Sequence, residues 1–229
     1  MKHFTFYSKG DILSLTRVRR FETRLGERVQ YVKDGGEWPE VIQQSPAKYV
    51  LLGIPEDIGV KANYGIGGAD TSWLPFLSAF LNVKSNDFFT GENILLLGHF
   101  DFGDLKFLIE NNAYTPDEMI DAYRHAINVI DDEVENILKI IAAAGKIPIV
   151  IGGGHNNCYP IIKGVAKGLY KADRIHWRRS TASTWMHTRI TALRKEGIAA
   201  TDSGTPGKTV TWGSIASWDC TRTIFHKMY

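Results

Sequence analysis

The fifteen residues "KIPIVIGGGHNNCYP", 146 to 160, carry the most chemistry in the chain. An apolar run ends in three glycines, and then come His155, two asparagines and a helix-like stretch. Glycines there let the backbone turn tightly and let other groups approach closely. Three chemistries compete for this pattern. A dinucleotide fingerprint needs G-x-G-x-x-G; Gly152 and Gly154 fit its first two glycines, but Asn157 stands at the third. A phosphate-binding P-loop needs a lysine and a hydroxyl residue after its last glycine, and neither is present. The glycines could also form a simple turn with His155 capping the next helix. Finally, His155 at the end of a buried strand is placed as a metal ligand would be, because polar groups in parallel sheets act just beyond the carboxyl ends of strands.

The surrounding elements make that strand plausible. "KYVLLGIPED" (48 to 57) and "NILLLGHFDFGD" (93 to 104) are apolar runs closing in acidic loops. They read as buried parallel strands. "IGVKANYGIGGADTSW" (58 to 73) is glycine-rich and reads as a loop. Trp73, Phe76, Leu77, Phe80 and Leu81 recur at helical spacing within 71 to 82. The clearest helix starts at Thr115, a good N-cap, with Pro116 in the first helical position and Asp117 and Glu118 in the first turn. Met119, Tyr123, Ala126, Ile130, Ile137 and Ile141 give it one apolar face, and Gly145 ends it. "NNCYPIIKGVAKGLYK" (156 to 171) begins a further helix. Alternating strands and helices of this kind predict an α/β fold with a parallel sheet. Residues 1 to 46 are mixed and weakly periodic, with a turn at Gly35 and Gly36.

Bulk composition narrows the class. The 229 residues are 44% hydrophobic and 23% charged with a net charge of +2. That is ordinary for a globular protein and offers no basic field for nucleic acid. No apolar run approaches the roughly 20 residues needed to span a bilayer, and the start has no signal-peptide run. Cys158 and Cys220 match neither a disulfide framework nor a zinc spacing. The expectation is a cytoplasmic protein with no membrane or nucleic-acid partner.

"IPIVIGGGHNNCYPIIKG" resembles the metal-binding segment of the ureohydrolase family, which comprises arginase, agmatinase and formimidoylglutamase. "GIPEDIGVKANYGIGGADTSWLPFLSAF" and "GHFDFGDL" also resemble segments of that family, in the same order, so the likeness covers roughly residues 48 to 171. The resemblance implies a three-layer α/β/α domain of arginase type. It implies hydrolysis of a C–N bond in a linear amidine such as arginine, agmatine or formiminoglutamate. It implies two manganese ions that activate a water, with His155 as the first histidine ligand. "GGGHNN" and "PEDIGVKAN" lean toward formimidoylglutamase-like or arginase-like members. No catalytic residue is assigned. Asp101, Asp104, Glu56 and Asp57 are given turn, capping or loop roles, since the family's ligands do not map onto them. A homo-oligomer is left open.

The family pattern continues with a strand ending in Asp-x-His-x-Asp some twenty residues after His155, and the chain has none. In its place stands "TASTWMHTRITALRKEG". His176, His187 and His226 are scattered without partnering acids, and "SGTPG" (203 to 207) lies too close to His155 to be the family's Thr-Gly-Thr-Pro segment. Composition shifts abruptly near residue 173, with Thr, Ser, Arg and Trp crowded together. The codons offer an explanation. Trp185 must be TGG and Met186 ATG. Starting at the third base of each codon gives GAT, aspartate, and then GCA, alanine. Permitted third bases allow the run to continue as His-Ala-Asp. The same shifted frame permits a further apolar strand downstream. The expectation is therefore residues 1–172 as the first part of an arginase-like domain, truncated, and 173–229 as an out-of-family tail, poorly ordered and read in the wrong frame. The slip is placed between Lys171 and Arg178. Such a chain keeps at most one weak manganese site, at His155, and is expected to be inactive. The competing expectation is a non-catalytic α/β fragment with a binding role or none.

Overall fold

The computed structural model describes residues 2–32 and 37–170. The tail expected from 173, its boundary, and the histidines it carries lie outside the described residues. In chain order the elements are β1 (Phe4–Phe6), α1 (Lys9–Ser14), α2 (Leu25–Arg28), β2 (Gln30–Tyr31), α3 (Trp38–Gln44), β3 (Tyr49–Gly53), α4 (Ile58–Lys61), α5 (Trp73–Leu81), β4 (Ile94–Phe100), α6 (Gly103–Asn112), α7 (Pro116–Ala143), β5 (Ile147–Ile151) and α8 (Cys158–Tyr170). The strand order is β1-β4-β3-β5, with β2 pairing β4 beside β1.

The apolar runs at 48–57, 93–104 and 146–154 are the strands β3, β4 and β5, and they are parallel. Alternation along them feeds two cores. Val50, Leu52, Leu95 and Leu97 pack with α7 residues such as Ile127, Ile130 and Val134 on one face. Leu51, Ile94 and Leu96 pack with Trp73, Leu77 and Leu81 of α5 on the other. Helices thus cover both faces, and the three-layer α/β/α expectation holds. One correction concerns the sheet's hand. It is mixed, because β1 runs antiparallel to β4. The N-terminal 46 residues, read as nearly featureless, hold β1, β2 and three helices. Their elements are too short to show a period. The stretch 58–73, read as loop, contains α4 and a 3-10 turn at Ala69–Thr71.

Helix α7 starts as its sequence demands. Thr115 Oγ1 accepts from the Glu118 N–H at 3.2 Å, and Glu118 returns a carboxylate to the Thr115 N–H at 3.2 Å. This reciprocal box satisfies donors that a helix start leaves open. Gly145, at φ +72°, takes the left-handed conformation after the last turn. Helix α8 then lies against α7 through two glycines. A Cβ on Gly164 would sit 2.6 Å from the Glu135 carbonyl, and one on Gly168 would sit 2.4 Å from the Lys139 carbonyl. Glu135 of α7 ion-pairs with both Lys163 and Lys167 of α8. Among the described residues, no helix is long and apolar enough to cross a membrane.

Candidate functional site

Strand β3 lies between β4 and β5. The chain passes from β3 to β4 on one side and later returns to β5 on the other, so the loops after β3 and β5 part at the point where the strand order reverses. Such switch points are where open α/β sheets bind ligands.

His155 sits there. It opens a 3-10 turn, His155–Asn157, that leads into α8. Gly152 (φ +97°) and Gly153 (φ +83°) bend the chain out of β5. A Cβ on Gly153 would lie 2.4 Å from the Ile54 carbonyl, so the close approach of the two loops requires glycine. His155 is exposed. No described residue hydrogen-bonds its ring, so it does not serve as a helix cap. The residues after it are buried instead: Asn156 at 8% and Asn157 at 2% exposure.

Glu56, on the loop after β3, fills the space beneath this turn and is 2% exposed. Its Oε1 accepts from the Gly154 N–H at 3.0 Å and from the Asn157 side-chain amide at 2.6 Å. Its Oε2 accepts from the Gly59 N–H at 3.1 Å. This arrangement argues against a phosphate cradle. The N–H that would face an anion already faces a carboxylate, and Asn157, at the fingerprint's third-glycine position, fills the gap with its side chain.

The other acids gather around a cavity that Glu56 also lines. This cavity, of about 320 Å³, opens between the loops after β3 and β4, with Asp57, Asp70, His99, Asp101 and Lys106 in its wall. Asp57 accepts from the Gly68 N–H at 3.1 Å and pairs with Lys106 at 3.2 Å. Lys106 also holds Asp70 at 2.8 Å. Burial pushes the Lys106 ammonium down, but Asp70 and Asp57 more than reverse this and hold it above the ordinary lysine range. Asp101 Oδ1 accepts from the Gly103 N–H at 2.9 Å, a turn contact. Asp104 pairs with Lys2 at 2.9 Å and His3 at 3.2 Å, and the Lys2 hydrogen bond lowers its pKa even against slight burial. Asp101 is thus held by its own loop at the cavity wall, and Asp104 faces the N-terminal residues.

His99 is the residue the sequence did not single out. Its ring packs against Tyr7 at 5.4 Å and Trp73 at 6.4 Å, which also contact each other, and its buried Nδ1 has no hydrogen-bond partner among the described residues. Burial lowers its pKa, with Asp101 opposing. The only signal in the sequence was a histidine inside an otherwise apolar strand.

His155 does not line this cavity. Among the described residues no group of three or more histidines, cysteines and acids is arranged to hold a metal ion. His155 alone fits as one imidazole donor, and a two-ion site is not formed by the described residues.

A model of the arginase family matches residues 47–177. No curated protein and no solved structure matches the chain. The matched span holds β3, β4, β5 and the His155 turn, and is more than half of the 229 residues. The chain belongs to the arginase family.

Proposed function

We propose that residues up to about Trp177 are the first part of a ureohydrolase, and that the written tail is a frameshifted reading of the same gene. The reading rests on one observation above all: the family match ends at residue 177, within the window between Lys171 and Arg178 where the slip is placed, a few residues before Trp185, from which the shifted frame encodes Asp-Ala-His-Ala-Asp. The geometry supports it. Among the described residues β5 has a strand partner on one side only, so its other edge is where a following strand with further ligands would lie beside His155.

In this reading the substrate is a linear amidine, a guanidino or formimino compound, and the bond broken is C–N. Manganese would supply a water of lowered pKa, able to attack a planar carbon near neutral pH. His155 would contribute one imidazole to hold it, on a turn fixed from beneath and open above. The chain as written lacks the partner ligands, so no step is assigned to its residues and no turnover is expected from it.

The test has two arms. Genomic DNA is resequenced across codons 171 to 178. In parallel, the 229-residue chain and a chain with the alternate frame restored are assayed with manganese for urea or formamide release. Metal-dependent turnover only by the restored chain supports the reading. Clear turnover by the 229-residue chain would sink it, and so would an inert restored chain that binds no manganese.

A further inference from the structure

We infer that Glu56 is the positioning residue of the His155 turn. The proposal rests on the reading of His155 as a metal-facing imidazole and adds the residue that aims it. Three donors converge on the two oxygens of this carboxylate: the Gly154 N–H and the Asn157 amide on Oε1, and the Gly59 N–H on Oε2. No lysine or arginine among the described residues ion-pairs with Glu56, although Asp57, next in sequence, takes Lys106. A buried carboxylate without a cation is costly unless hydrogen bonds offset its lost hydration, and bonds of this charge-assisted type are the strong ones.

The donors decide what Glu56 does. Gly154 directly precedes His155, and Asn157 is two residues beyond it. The turn is therefore clamped on both sides of the histidine, and from a different strand. The His155 ring has no hydrogen bond to orient it, so its direction is inherited from the backbone that Glu56 holds. Gly59 completes the tie. Its missing Cβ leaves room for Asn156, whose Oδ1 would lie 2.0 Å from that atom. Helix α4, the β3 loop and the His155 turn thus share one acceptor. Carboxylate and amide differ sharply here. Glutamine keeps one acceptor oxygen, which can stay with Gly154 and Asn157, but its NH2 must then face the Gly59 N–H.

The test uses the full chain with Glu56→Gln and Glu56→Ala, followed by site-resolved amide exchange and by the ring signals of labelled histidine during a manganese chloride titration. Amides of β3 and α7 serve as the control for folding. In Glu56→Gln, Gly59 is expected to exchange at least about tenfold faster while Gly154 stays protected, as loss of one charge-assisted bond implies. In Glu56→Ala both lose protection, and the manganese needed to broaden the His155 ring rises several-fold. Unchanged Gly154 exchange and an unmoved His155 ring in Glu56→Ala would overturn the proposal. So would equal loss at Gly59 and Gly154 in Glu56→Gln, which stands as the test on its own should the alanine variant not fold. The underlying reading is judged separately. If manganese leaves the His155 ring of the unsubstituted chain sharp, the ligand reading fails, while the exchange pattern still decides whether Glu56 holds the turn.

Discussion

At the scale of single residues, His99 makes the most direct prediction. Its folded pKa lies below the ordinary histidine value because burial against Tyr7 and Trp73 penalises the charged ring. The unfolded chain therefore takes up the proton first as pH falls. Stability drops once pH passes below about 6.5 and levels off below the folded pKa. Urea unfolding compared at about pH 7.5 and about pH 5 reads this slope. The flat, aromatic substitute His99→Phe is expected to make it shallower; an identical slope in both proteins would remove His99 as its source. The sequence disclosed His155 through its glycines, since a strand running into Gly-Gly-Gly-His is visible at a glance. It could not disclose Glu56 as the group beneath, because the two lie on loops joined only when β3 and β5 pair.

At the scale of elements, the contact between α7 and α8 carries two predictions. Burial pushes the Glu135 carboxyl up, but Lys163 and Lys167 together outweigh it and hold it below the ordinary glutamate value. Its contribution is thus present above that ordinary value and fades as pH falls through the folded one. Glu135→Ala removes the partner of two ammonium groups that are 19% and 22% exposed, and is expected to cost about 1–3 kcal/mol at neutral pH, between an exposed and a fully buried pair. Denaturant midpoints at neutral and acid pH check both the size and the sign. Gly168→Ala should also destabilise. Alanine ordinarily gains about 1 kcal/mol over glycine inside a helix, but here the added Cβ would meet the Lys139 carbonyl at 2.4 Å. Overpacking of this kind costs roughly 1–3 kcal/mol. A thermal midpoint that rises on this substitution would mean the helices part without penalty. The strands β3 to β5 and the helices α5 and α7 were legible in the sequence because each is long enough to show its period and its caps. Glycine is a poor helix former, and the facing α7 backbone explains the two in α8.

For the whole molecule, the sheet ends at β5 among the described residues, and Ile147 is 44% exposed there. An unpaired parallel edge invites other chains. The 229-residue chain is expected to self-associate as its concentration rises, and the chain with the alternate frame restored is expected to do so less. Sedimentation velocity over a concentration series compares them. A 229-residue chain that stays monodisperse throughout would count against an open edge. The fold class was readable from three apolar strands alternating with helices. The mixed hand of the sheet was not, because β1 is three residues long and its partner lies in a distant part of the chain.

That distance sets a clock. Phe4 pairs with Phe100, Thr5 with His99 and Phe6 with Gly98. Strand β1, made well before β4, must therefore wait for it before the two can pair. At roughly 5–20 residues per second the wait is on the order of 5–20 seconds. Joining ends so far apart in sequence also carries the entropy of closing a long loop. Strand β1 thus acts as a late-closing latch, made before β4 and seated only after β4 has emerged.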